Sequence, residues 1–118
     1  MIKHVVLLKL HDTAGGRPKA ENMKLLSEML LALPATISQI HRLEVGFYNS
    51  GTGNSWDMGL FTEFLSQADL NIYIDHPDHL NVGNFINIVV QEKVAVDFVL
   101  QGKKYEKKKE AHGYGLME

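Results

Sequence analysis

Cysteine is absent from this chain of 118 residues, which removes disulfides, a thiol nucleophile and any pointer to an oxidising compartment. No apolar run approaches the ~20 residues that a membrane span needs. Met1-Ile-Lys-His4 enters a strand pattern at once rather than a leader, so the expectation is a cytoplasmic protein with no membrane partner. Charge of one sign is also scarce, with a formal net charge of −2. Residues 1–101 carry seven Lys/Arg against eleven Asp/Glu, whereas residues 102–118 carry five against three. A mildly acidic body argues against a nucleic-acid-binding core. Phosphate loops are missing too. Gly51 and Gly53 lack the strand–helix context that such loops require, and no flavin, nucleotide or other cofactor is expected.

What is present suits a single domain, because a second independent core would be too small to stand. Hydrophobic residues make up 45% and charged residues 22%, an ordinary globular balance. A chain of this length buries roughly two-thirds of its unfolded surface without help from a metal. Residues 2–10 alternate with period two, placing His4, Val6, Leu8 and Leu10 on one face and Lys3, Val5, Leu7 and Lys9 on the other. Asp12-Thr-Ala-Gly15-Gly16 reads as a turn, and Pro18 suits the first turn of a helix. Met23, Leu26, Leu30 and Leu33 follow at helical spacing until Pro34 ends the element. Strands are expected at 40–48 and 56–64 around a polar glycine-rich loop.

Ser66-Gln-Ala-Asp69 resembles a capping box and opens a helix with Leu70, Tyr73 and Ile74 on one face. Pro77 interrupts it and starts another helix, expected to run to about Lys93. His79, Val82, Ile86, Val89 and Val90 would form its inward stripe. A last strand at 94–100 closes the domain, which is expected to span residues 1–101. The order is β-α-β-β-α-β, the α+β ferredoxin-like arrangement of one four-stranded antiparallel sheet with helices on one face. Its other face, with Val5, Leu7, Gly46, Gly59, Phe61 and Val99 expected there, has no cover within the chain. A second copy of the sheet is the simplest one, giving a homodimer through that face. Residues 102–118, rich in lysine, read as a flexible or partner-contacting tail, since a lysine run without a basic fold behind it is a weak nucleic-acid signal.

The densest chemistry lies in Tyr73-Ile-Asp-His76-Pro77-Asp78-His79-Leu80. His79 sits on an apolar stripe in the first turn of a helix, and a neutral imidazole there is a competent general base. It could equally be a buried core histidine. Tyr73 is either an ordinary buried tyrosine or the phenol of an acid/base pair. Six residues separate the two, too far around an unbroken helix, but the Pro77 break allows them to meet. His4 could point at the same place. His76, just before the proline, is expected to cap or orient the turn. Three imidazoles (His4, His76 and His79) invite a zinc reading, but Pro77 spoils the one-face spacing and no metal is expected.

His4 in the opening strand, Gly46, the run ending at Phe64, Tyr73-x-x-His76-Pro77-x-His79, and Asp97-Phe98 together resemble the stress-responsive α/β-barrel (Dabb) family over about residues 2–99. The resemblance implies a ferredoxin-like dimer whose two sheets form a barrel. A similar protein type, the plant polyketide cyclase that makes olivetolic acid, uses the Tyr and second His of this motif as its acid/base pair, with the strand-one His in its pocket. By motif these are Tyr73, His79 and His4, the candidate catalytic residues.

Two functions follow. One is a pocket for a small apolar or aromatic ligand between sheet and helices, lined by Met23, Leu26, Leu60, His76, Ile86 and Val90, supporting cofactor-free cyclase-, aldol- or oxygenase-type chemistry. The other is a non-catalytic stress-related dimer whose histidines only complete the core.

Overall fold

The computed structural model describes residues 1–47, 56–102 and 104–108. The loop expected around Gly51 and Gly53 lies outside them, as do residues 109–118 of the tail. In chain order the elements are β1 (Ile2–Leu10), a two-residue hairpin of β2 (Thr13–Ala14) and β3 (Arg17–Pro18), α1 (Lys19–Ala32), a 3-10 turn (Leu33–Ala35), β4 (Arg42–Phe47), β5 (Met58–Phe64), α2 (Gln67–Asp75), α3 (Pro77–Val89) and β6 (Val90–Val99). The four long strands form an antiparallel sheet in the order β4-β5-β1-β6. This is the α+β ferredoxin-like fold, with β1 and β5 central.

Local chemistry explains most element ends. Gly15 and Gly16 take φ of +59° and +76°, the left-handed pair that a two-residue hairpin demands. Pro18 closes that hairpin with extended ψ and serves as the N-cap of α1, one place before the first helical turn. Ser66 Oγ accepts a hydrogen bond from the Asp69 N–H at 3.1 Å, capping α2. Pro77 begins α3, where its missing N–H costs nothing.

The largest boundary difference from the sequence reading is at the last helix. The last helix ends at Val89, not near Lys93, and Val90 is both its C-cap and the first residue of β6. Gln91, Glu92 and Lys93 are good helix formers, but here they pair along β1, with Glu92 opposite Lys9 and Lys93 opposite Leu8. Backbone pairing across the sheet overrides local propensity.

Antiparallel partners share a face, so the register assigns every side chain. The helix-facing side holds Ile2, Val6, Leu8, Leu10, Met58, Leu60 and Phe64, all buried, under Leu26 and Leu30 of α1, Leu70 and Tyr73 of α2, and Val82 and Val89 of α3. His4, opposite Thr62 and Asp97, lies on the same side. Val99 pairs with Ile2 and therefore belongs to this face, not to the outer one expected for it. The outer face carries Val5, Leu7, Phe61, Val94, Val96 and Phe98 around the directly paired Gly46 and Gly59.

Candidate functional site

The break between α2 and α3 creates the site. In a continuous helix the carbonyl of Ile74 would accept from the N–H four residues on, that of Asp78. Pro77 stops the helix, and the Asp78 N–H is instead bound by Nδ1 of His76 at 3.0 Å. The Ile74 carbonyl is thus left over. It accepts from Nδ1 of His79 at 3.0 Å, across the break.

That one bond fixes the tautomer. A carbonyl only accepts, so Nδ1 of His79 carries the proton and, in the neutral ring, Nε2 carries the lone pair. Burial, the largest influence, pulls the His79 pKa below its usual 6.5, and the Ile74 bond opposes that only in part. The imidazole is therefore neutral near pH 7.

The same break brings the phenol to the imidazole. The Tyr73 and His79 rings lie 4.3 Å apart between centroids, with Phe64 4.9 Å from Tyr73 on another side. Tyr73 is fully buried, and desolvation pushes its pKa up to about 12. Its hydroxyl has no hydrogen-bond partner among the described residues. A buried polar atom without a partner costs roughly 1–3 kcal/mol and asks for an explanation.

His4 approaches Tyr73 edge-on, with ring centroids 6.2 Å apart. Its Nδ1 bonds the carboxylate of Asp97, its partner on β6. Carboxylates accept, so this nitrogen also donates, and His4 too keeps Nε2 free in its neutral form.

A partly enclosed cavity of about 150 Å³ opens between sheet and helices, with His4, Tyr73 and His79 in its wall. Leu60 and Ile86 line it, as the sequence reading placed them. Met23, Leu26, His76 and Val90 do not. Leu26 is fully buried in the core and Met23 packs against it from α1. His76 is committed to capping α3, and Val90 sits at the strand start opposite Leu10. In their stead Leu30, Ile74, Gly83, Lys93 and Ala95 complete the wall. Lys93 was out of reach of a reading that placed the helix end there, and Ala95 shares with Val99 the face that the expected strand assigned to the outside. Asp97 stood in the family motif, but only the β1–β6 register reveals it as the partner of His4. Among the described residues, no group of three or more His, Cys, Asp or Glu side chains is placed to hold a metal ion, and none of their helices is long and apolar enough to cross a membrane.

Fold and motif together define a ferredoxin-like protein with a histidine–tyrosine cavity. The chain belongs to the stress-responsive A/B barrel domain family, whose model matches residues 2–100. A stress-response A/B barrel domain-containing protein of Arabidopsis thaliana is 29% identical over 105 residues, or 86% of this chain and 48% of that protein. The chain thus spans about half the length of that curated relative. A dimeric protein of unknown function with a ferredoxin-like fold from Bacteroides fragilis is 33% identical, with a TM-score of 0.73 covering 84% of this chain and 95% of the other. A hydroxynitrile lyase from Passiflora edulis superposes with a TM-score of 0.72 over 88% of this chain and 96% of its own, at 11% identity, a likeness of fold alone.

Proposed function

We propose that the chain forms a homodimer through the outer face of its sheet and binds a small apolar or aromatic carbonyl compound in the cavity, where cofactor-free acid/base chemistry moves a proton next to the carbonyl. The observation that carries this is the Tyr73 hydroxyl, buried and without a hydrogen-bond partner among the described residues, on a side chain that lines the cavity. A ligand oxygen is the natural acceptor for it. A cavity of about 150 Å³ suits a molecule built on a single ring, the size that benzene fills in engineered apolar cavities.

The division of labour follows from the tautomers. Nε2 of His79 takes the proton from the α-carbon and becomes imidazolium, held by the Ile74 carbonyl. The C–H electron pair moves into a C=C bond and the carbonyl oxygen takes the charge. Tyr73, a protonated phenol at neutral pH, donates its hydrogen bond to that oxyanion. His4, oriented by Asp97, borders the same space as a second polar group. Support for the dimer comes from the apolar outer face and from the Bacteroides fragilis relative, which is described as dimeric.

Acetophenone in D₂O tests the chemistry, because loss of its methyl proton signal reports α-proton exchange. The wild-type protein is expected to accelerate exchange, His79→Ala to abolish the acceleration, and Tyr73→Phe to cut it roughly 10²–10³-fold without lowering the melting temperature. Binding without exchange would leave a ligand-binding dimer and remove the catalytic step. Neither binding nor exchange would overturn the cavity reading altogether.

A further inference from the structure

We infer that the cavity selects an anionic ligand, a small aromatic or branched carboxylate whose charge is met by the ammonium of Lys93. This rests on the cavity reading above and names the substrate class for it. Because Lys93 lies opposite Leu8 on β1, its side chain is on the helix-facing side of the sheet. It lines the same cavity as His4, Tyr73 and His79.

Among the described residues the ammonium has no acid of its own. Lys3, Lys9, Lys19 and Arg42 each lie within reach of a carboxylate, whereas Lys93 pairs with none among the described residues. Asp97, four residues along the same strand and face, is taken by His4. The charge of Lys93 is felt inside the site, since it adds to burial in disfavouring imidazolium at His79. A cavity with mainly apolar walls, a cation and a hydroxyl donor that lack partners among the described residues, and the His79 and His4 imidazoles is complementary to a ring that carries a carboxylate. The ring fills the apolar part. The carboxylate accepts from the Lys93 ammonium, and an adjacent oxygen accepts from Tyr73. Lysine suits this position, because its methylene stem packs on the apolar wall while the charged head stays near the mouth.

Benzoate and benzamide are nearly the same shape and differ in charge, which makes them the probes. Dissociation constants measured by calorimetry at low ionic strength are expected to favour benzoate by about tenfold in the wild type, the scale of one charge-assisted hydrogen bond. Lys93→Met should erase that preference while keeping benzamide affinity, and Lys93→Arg should restore it. Lys24→Met, a surface lysine outside the cavity, should leave it untouched. Because Lys93 and Lys24 are both exposed, matching far-UV circular dichroism is expected for all three variants. Equal affinity for the two probes in the wild type, or a benzoate preference that survives in Lys93→Met, would overturn the role of Lys93 and leave the cavity standing. Failure of both probes to bind would sink the cavity reading and this inference with it.

Discussion

The two faces of one sheet have opposite fates. On the helix side, Leu8 and Leu10 are 1% exposed and Phe64 not at all; on the other, Val94, Val96 and Phe98 are 49%, 52% and 43% exposed. Both sets are apolar and both sit on strands that pair with β1 or belong to it. What differs is the cover. Three helices pack on one side only, so the chain completes a core there and leaves an apolar wall outside. Burying such surface gains about 25 cal/mol per Å², and a stable protein interface removes roughly 1,600 Å² in total from water. Charged pairs fringe the wall, with Lys3 bonded to Glu63 and Lys9 near Glu92. An apolar centre with a polar rim is the anatomy of an interface. On the inner face, by contrast, the helices bury the central strands, and the broken helix leaves a cavity beside His79.

The comparison is broken most severely by a charge on the outer wall. In the proposed homodimer Val96→Asp would place one carboxylate per protomer in the shared apolar contact, and each unpaired buried ion costs several kcal/mol. Sedimentation equilibrium is expected to shift from two chains to one with far-UV circular dichroism unchanged. A dimer that survives this substitution would place the contact elsewhere. Truncation on the inner face comes next. Phe64→Ala should cost about 3–5 kcal/mol in urea unfolding at fixed oligomeric state. Phe98→Ala, the same change on the outer face, should weaken association and leave the single chain's fold nearly as stable. Equal losses for both would mean that the two faces are not distinct.

The smallest effect is a pH dependence confined to the cavity. In the folded protein His79 has a pKa below 6.5, so between that lowered value and 6.5 the unfolded chain binds more protons than the folded one. Stability should be flat above pH 6.5, fall as pH drops from 6.5 toward the folded value, and level off below it. His79→Asn should flatten that part of the curve. An unchanged slope would assign the titration to another group.

Much of this was legible in the sequence, for reasons that are local. Period-two alternation in residues 2–10 separates the two faces of β1, and a hydroxyl three residues before an acid at Ser66 and Asp69 caps α2. Pro77 marks the break that lets Tyr73 meet His79. Those features act within a few residues, where spacing and backbone chemistry suffice. The start of β6 was not legible, because Gln91, Glu92 and Lys93 prefer a helix until β1 offers them partners. Val99 lay on the unexpected face for the same reason, since its partner Ile2 is almost a chain length away.

By itself, the sequence determined the kinds of elements, their order, the apolar wall and the broken helix, since periodicity, caps and proline are written in consecutive residues. Only the tertiary structure decided what faces what. It joined His4 to Asp97 across 93 positions, gave the leftover Ile74 carbonyl to His79, and set Tyr73 and Lys93 along one cavity. Strand register and helix packing bring together groups that no local pattern links, and the proposed chemistry depends on those meetings.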